Sequence, residues 1–111
     1  MYEKRNAKIT GVEITIADHG VLTIWVSLQW PNGGQAFGGF SLGKKMDDMN
    51  LCGYFITRLL ETMDEWTVDA LIGKVCQIEH NHSEVYAIVN ILDSEKRFCP
   101  KEEWAHIRGE A

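Results

Sequence analysis

The chain has 111 residues, of which 45% are hydrophobic and 24% charged, a composition that is typical of a soluble globular domain and excludes a disordered, collagen-like or low-complexity chain. A chain of this length forms one hydrophobic core, so we expect a single domain over residues 1–111, in which residues 1–7 are a flexible arm. The net charge of −5 disfavours a protein held to nucleic acid mainly through phosphate contacts.

Two strands are predicted at the start of the chain. Residues Ile9–Ile16 alternate between apolar and polar side chains, which is the period of a half-buried strand, and the even-numbered residues from Val12 to Ile16 form its apolar face. The turn-forming segment 18–20 leads into a second strand, Val21–Trp30. The two strands should pair as a hairpin.

The third predicted strand carries the first candidate site. The segment Pro31–Gly34 contains Asn-Gly, the strongest turn signal in the chain, and a strand over Gln35–Leu42 should pair back onto the second strand. Glycines inside a strand cost stability because they pack nothing. Gly38 and Gly39 therefore indicate a bulge, strong coiling, or a backbone that another group approaches closely.

A helix follows a polar connection. Asp48 or Asn50 can cap its start, and it should end near Asp64. One stripe of apolar residues at three- and four-residue spacings would pack on the core: Cys52, Phe55, Ile56, Leu59, Leu60 and Met63.

A single short turn of helix is predicted next. Thr67 is its candidate N-cap and Gly73 closes it, which places Trp66 and Leu71 at the two positions of a hydrophobic staple. The Trp66 side chain should then pack against Leu71.

The last part of the chain returns to the period of strands. Val75–His80 and Val85–Leu92 are predicted strands joined by the polar turn 81–84, and the second is apolar on both faces, as in the middle of a sheet. A short extended piece, Arg97–Cys99, and a final helical turn opened by Pro100 follow.

The order of these elements predicts an α+β fold. It consists of an antiparallel sheet of five to six strands, one main helix between strands 3 and 4, and a short C-terminal helix. OB-type barrels have the same order, and the sequence leaves open whether the sheet closes into an OB-like barrel.

No motif in the chain predicts catalysis or a cofactor. The sequence contains no nucleophile elbow, phosphate-binding loop or metal-binding helix motif, so we expect a protein that is not an enzyme. Strand parity would place Cys76, His80 and His82 on one side, with Cys99 as a fourth metal ligand. The paired spacing of zinc motifs is missing, so core cysteines and turn histidines explain these residues better, and we expect no metal.

The first eight residues are polar and basic and show no export signal, and the cysteines are odd in number and far apart. We therefore expect a cytoplasmic protein with reduced thiols and no membrane contact.

An acidic group lies at the predicted helix end: Glu61, Asp64, Glu65 and Asp69. Such a group could imitate nucleic-acid phosphates and occupy a basic groove on a partner. Its charge density is modest, so we interpret it as a solvated helix end.

Aromatic residues are the remaining indication of a binding site. Trp25 lies opposite the apolar stripe of the second strand, and with Phe37 it would form an exposed platform that stacks on bases or packs on a protein. The other tryptophans, Trp30, Trp66 and Trp104, are interpreted as core or cap residues. The predicted binding residues are Trp25, Phe37, Gly38, Gly39, Phe40, Lys44 and Lys45.

Several short blocks in one order, together spanning about residues 8–100, carry a family resemblance. They are Lys8–Ile14, Asp18–Gly20, Phe37–Phe40, Gly53–Ile56, Trp66 with Leu71–Lys74, and Val85–Ile88 leading to Phe98–Pro100. In these blocks the chain resembles a family of small bacteriophage and prophage early proteins. The resemblance implies a setting in the cytosol of the bacterial host, among genes for recombination or for countering host defence, and it implies no catalytic residues.

Three functions remain open from the sequence. The first is a non-catalytic phage-type binding protein that modulates a host or phage protein, for example a host-defence inhibitor. The second is an OB-like accessory protein of phage recombination that binds single-stranded nucleic acid on Trp25 and Phe37. The third is a sponge for a small signalling nucleotide. An edge strand that contains glycines also favours a homodimer.

Overall fold

The computed structural model describes residues 2–17, 21–39 and 49–107. Its elements are, in chain order, β1 (Glu3–Ala17), β2 (Val21–Trp30), β3 (Gly33–Gly38), α1 (Met49–Met63), a 3₁₀ turn (Asp69–Leu71), β4 (Val75–His80), β5 (Val85–Asn90), β6 (Arg97–Phe98) and α2 (Pro100–Ile107). The predicted α+β class, with the main helix between the third and fourth strands, is confirmed. The turn predicted at residues 18–20 and the candidate cap Asp48 lie outside the described residues. Among the described residues, neither helix is both long and apolar enough to cross a membrane.

Strand β1 is the longest strand and pairs with two neighbours. Its first half, Glu3–Lys8, pairs antiparallel with β4, and its second half pairs antiparallel with β2. A β-bulge at Ile9–Gly11 separates the two halves. The prediction of a flexible arm at residues 1–7 is wrong, because the ladder with β4 takes up the backbone groups from residue 3 onward and Ala7 is buried.

The bulge reverses which residues of β1 face the core. Before it the odd-numbered Ala7 and Ile9 are buried, and after it the even-numbered residues point to the same side, with Ile14 opposite the buried Ile24. Ile14 and Ile16 are nevertheless 48% and 69% exposed, which corrects the prediction that they are covered. The reason is that α1 packs on β5 and β6 rather than on this end of β1.

The six strands form one antiparallel sheet in the order β3-β2-β1-β4-β5-β6. This order and the position of α1 agree with an OB-type arrangement, but no backbone ladder joins β3 to β5 in the described part of the chain. Side chains link β3 to the end of β4 instead. Arg5 donates to Nε2 of His80 (3.3 Å), so Nδ1 carries the ring proton and donates it to Gln35 on β3 (2.8 Å). The Gln35 amide in turn donates to the carbonyl of Asn81 (2.9 Å).

The core lies between the sheet and α1 and is centred on three aromatic rings. Phe37 of β3, Phe55 of α1 and Phe98 of β6 are fully buried, with ring centroids 5.0 to 5.9 Å apart. Each such ring contributes about 1.5–3 kcal/mol by leaving water. The triad therefore fixes α1 against β3 and β6.

Glu103 fastens α2 to α1. Its carboxylate accepts hydrogen bonds from Tyr54 Oη (2.7 Å) and Arg58 Nε (2.8 Å), both on α1, and from the backbone N–H of Cys99 (3.0 Å). Burial and the hydrogen bond to Glu103 raise the pKa of Tyr54. Arg58 also donates to the carbonyl of Arg97 (2.8 Å). These bonds hold α1, α2 and β6 in fixed positions relative to one another.

Candidate functional site

The site predicted on β2 and β3 is only partly assembled. Trp25 lies on the outer face of β2, 40% exposed, between Glu13 on β1 and Gly38 on β3. The next outward pair along the two strands, Ser27 and Ala36, is small and exposed. The indole therefore projects above a part of the sheet surface that carries small side chains.

Gly38 makes room for the carbonyl of Ile24, and Gly39 makes room for the Trp25 ring. Both have positive φ, 115° and 73°, and the N–H of Gly39 donates to the carbonyl of Ile24 (2.7 Å). A Cβ on Gly39 would collide with the six-membered ring of Trp25, so the indole lies directly on the glycine backbone. Of the three explanations considered for these glycines, the structure shows the close approach of another group, and that group belongs to the same chain.

Phe37 does not share the face of Trp25. It is fully buried and stands opposite Val26, which is also fully buried. Because neighbouring residues of a strand point to opposite faces, Gly38 and not Phe37 lies beside Trp25. The predicted exposed platform of Trp25 and Phe37 is therefore wrong. The remaining predicted site residues lie outside the described part of the chain: Phe40, Lys44 and Lys45.

A second surface lies at the C-terminal end of α1. It is an open groove of about 330 Å³, which we call the α1-end groove, lined by Thr57, Leu60, Glu61, Asp64, Glu65 and Trp66. Leu60 is partly buried and packs on the core, so it supplies an apolar floor. The groove thus combines an apolar floor with a rim that carries carboxylates.

A Schellman motif ends α1 and directs the following residues. Glu65 N–H donates to the carbonyl of Leu60 (3.0 Å), and Asp64 N–H donates to the carbonyl of Glu61 (3.2 Å). Asp64 adopts the left-handed φ of 58° that this motif requires. The turn at Asp64 ends the helix and places Trp66 at the edge of the groove.

Trp66 is 95% exposed, which contradicts its interpretation as a core or cap residue. The predicted staple with Leu71 is wrong, because Leu71 is fully buried in the core cluster while Trp66 stands in solvent. The N-cap of the 3₁₀ turn is Val68 rather than the predicted Thr67, although the Thr67 hydroxyl does accept a hydrogen bond from the N–H of Ala70 (3.3 Å). Trp30 and Trp104 do pack on the core, as predicted.

The β5–β6 connection flanks the α1-end groove. The amide of Asn90 donates to the carbonyl of Thr62 (2.9 Å), and Nζ of Lys96 lies 3.4 Å from the Asp64 carboxylate. Leu92 in this connection is 94% exposed. Two almost fully exposed large apolar side chains, Leu92 and the groove tryptophan, therefore lie on segments attached to the same end of α1.

Two of the rim carboxylates remain available to a partner. Each rim carboxylate faces one cation, in the pairs Glu61–Arg58, Asp64–Lys96 and Glu65–Lys74. The side chains of Glu61 and Asp64 are 59% and 76% exposed, so water screens these two pairs and they contribute little to stability. Glu61 and Asp64 can thus exchange their present partner for another cation at small cost, whereas Glu65 is only 17% exposed and stays paired with Lys74.

The thiols and His80 have structural surroundings. Cys76 and Cys99 are free and buried, and burial raises the pKa of the Cys76 thiol to about 12 and also raises that of Cys99. Both therefore stay protonated at neutral pH, which makes them weak nucleophiles and metal ligands. Both ring nitrogens of His80 are occupied by Arg5 and Gln35. Within the described ranges, no three His, Cys, Asp or Glu side chains are placed to hold a metal ion.

Comparisons with protein-family models, with curated proteins and with solved structures found no match to this chain. The structure shows an α+β protein in which Trp66, the most exposed aromatic side chain of the described residues, stands beside a groove with an acidic rim.

The α1-end groove was not among the sites predicted from the sequence, although its acidic residues were noticed. One signal was available: Trp66 follows a helix stop within a run of carboxylates and has no apolar neighbour in the adjacent positions. A tryptophan in such a polar context is poorly placed for a core, and this favours a surface role.

Proposed function

We propose that this chain is a non-catalytic binding protein of the bacteriophage type, which attaches to a host or phage protein inside the bacterial cell and modulates it. The observation that carries the proposal is Trp66, 95% exposed at the edge of the α1-end groove. Tryptophan is enriched at the centres of protein interfaces, where it supplies a large apolar area together with one hydrogen-bond donor.

The surroundings of Trp66 support a protein partner over a small molecule. The groove is open, and a second large apolar side chain, Leu92, is 94% exposed on the connection that pairs with Asp64 through Lys96. Large exposed apolar side chains rimmed by polar groups mark interaction surfaces. The acidic rim also disfavours a nucleic-acid backbone, since both would be negatively charged.

The test is an affinity capture of tagged protein from host cells with and without phage infection, quantified by mass spectrometry. The wild type is compared with Trp66→Ala and with the matched control Trp25→Ala. We expect the wild type and the control to capture the same partner. Trp66→Ala should capture at least about tenfold less of it, as for a tryptophan at the centre of an interface. The same order of affinities should then be measured with the purified partner by calorimetry.

Two results would contradict the proposal. One is a partner that binds Trp66→Ala as tightly as the wild type, and the other is the loss of binding in Trp25→Ala alone. Sedimentation equilibrium detects self-association of the chain. A dimer formed through the edge strand β3 would persist in both Trp66→Ala and Trp25→Ala.

A second candidate is binding of single-stranded nucleic acid on the face around Trp25. It is favoured by one observation, the partly exposed indole above the small residues Ser27 and Ala36 on β2 and β3. Quenching of tryptophan fluorescence by oligonucleotides, lost at high salt and lost in Trp25→Ala, would support it. A melting temperature raised by cyclic nucleotides would instead support a nucleotide sponge.

A further inference from the structure

The C-terminal end of α1 holds negative charge where a helix normally carries positive charge. The last turn contains no basic residue, and Glu61, Asp64 and Glu65 lie within or directly after it. The unpaired carbonyls at this end already make it the negative pole of the helix dipole, so carboxylates there oppose folding. An external cation would be favourable at this position.

Asp64 occupies a position that glycine favours. With φ of 58° it is the left-handed residue of the Schellman motif, where a side chain is strained and glycine is the common choice. Its carboxylate makes one ion pair, to Lys96 at 3.4 Å, and remains 76% exposed. Folding alone would therefore favour glycine here, and the aspartate contributes a carboxylate to the rim of the groove instead.

The cations of the chain do not cancel the charge of the rim. Arg58, which faces Glu61 at 3.2 Å, also binds Glu103 at 2.8 Å and the carbonyl of Arg97. Its charge is thus divided between two carboxylates, and its stronger contact lies away from the groove. Lys96 faces Asp64 and Lys74 faces Glu65, so the rim keeps an excess of less than one negative charge, which arises at Glu61.

We propose that the α1-end groove receives a short segment of the partner protein in which an apolar side chain stands next to lysine or arginine. This inference rests on the proposed function and names the chemistry of the partner. The apolar side chain packs between Leu60 and Trp66, while the cation pairs with Asp64 at the negative pole of α1. An arginine can in addition stack on the exposed face of the indole.

The test begins with short random peptides displayed on a surface and selected on the wild-type protein, with Trp66→Ala protein used to remove unspecific binders. We expect the selected peptides to carry lysine or arginine within a few residues of an aliphatic or aromatic residue. Selected peptides that depend on Trp66 but are neutral or acidic would overturn the inference and leave the proposed function standing. If no selected peptide depends on Trp66, both fail.

The second step measures the affinity of the best cationic peptide for Asp64→Gly and Asp64→Asn proteins. Both variants remove the charge, and glycine also relieves the left-handed strain, so Asp64→Gly should raise Tm by about 2–5 °C. We expect both to bind about fivefold more weakly at low salt, with a smaller salt dependence than the wild type. Unchanged affinity in the two variants would overturn the role of Asp64. If Asp64→Gly melts at a higher temperature than the wild type, its weaker binding cannot result from lost stability.

Discussion

The two exposed tryptophans of this protein have opposite relations to the fold. The ring of Trp25 lies against the backbone of Gly39. Gly38 and Gly39 both have positive φ, and the absence of a side chain on Gly39 leaves room for the ring. Trp66 stands 95% in solvent after a helix stop, and the core is closed beneath it by Leu71. A partly exposed aromatic residue on a sheet can therefore be structural, whereas an almost fully exposed one beside a groove is available to a partner.

The largest effect is expected at Gly38, the last residue of β3. Gly38→Ala should destabilise the domain by about 2–4 kcal/mol, because φ of 115° strains an L side chain and the added Cβ collides with the carbonyl of Ile24. Urea unfolding followed by circular dichroism measures the change.

The matched control for that substitution is Gly53→Ala in α1, where an added Cβ meets nothing within 4 Å. It should stabilise the protein by about 0.5–1 kcal/mol through helix propensity. Equal effects of the two substitutions would mean that the positive φ of Gly38 and its close approach to the Ile24 carbonyl do not require glycine.

An intermediate effect is expected from the ion pairs. Like the two tryptophans, one pair supports the fold and the other is exposed at the groove. Arg97 binds Glu79 through two hydrogen bonds of 2.7 and 2.9 Å, and Glu79 is mostly buried, whereas the groove pair of Lys96 and Asp64 is exposed. Arg97→Met should cost about 1–2 kcal/mol at pH 7, and Lys96→Met should cost less than about 0.5 kcal/mol.

The same arginine makes stability depend on pH. Hydrogen bonds from Arg97 lower the pKa values of Glu79 and Glu102 below the ordinary value of 4.5. A carboxyl group with a lowered folded pKa contributes stability above its unfolded pKa and loses it as the pH falls through the folded value. Unfolding curves between neutral pH and about pH 3 should therefore show a loss of stability below about pH 4.5, and this loss should be smaller in Arg97→Met. Parallel curves for the two proteins would refute this assignment.

The last two substitutions compare the two tryptophans directly. Trp25→Ala removes a ring that covers the glycine backbone and should cost about 1–2 kcal/mol, whereas Trp66→Ala should change stability by less than about 0.5 kcal/mol. Thermal unfolding of both variants in one buffer measures the difference. A loss in Trp66→Ala as large as that in Trp25→Ala would show that Trp66 supports the fold.

Local patterns were enough to predict most elements of the fold. The alternation in β2 and the helical spacing of α1 gave their positions, because each element shows one uninterrupted period. The turn at Asn81 was also predictable, since its side chain caps the backbone N–H groups of Ser83 and Glu84.

The candidate site was harder to predict, because burial depends on which face the other elements cover. Phe37 and Trp25 are both aromatic residues of neighbouring strands, and only the register, which sets Phe37 opposite Val26, decides that one is core and the other surface. Trp66 fits a staple by spacing, yet the Schellman turn at Asp64 directs it into solvent.

By itself the sequence determined the class of fold, since periods of two and of 3.6 residues are properties of neighbouring side chains along the chain. It also determined the negative charge at the end of α1. Only the tertiary structure decided that the first residues of β1 join the sheet, that the bulge at Ile9–Gly11 reverses its faces, and that an exposed tryptophan meets an acidic rim. These features arise from pairing and packing between distant segments, and no local pattern contains that information.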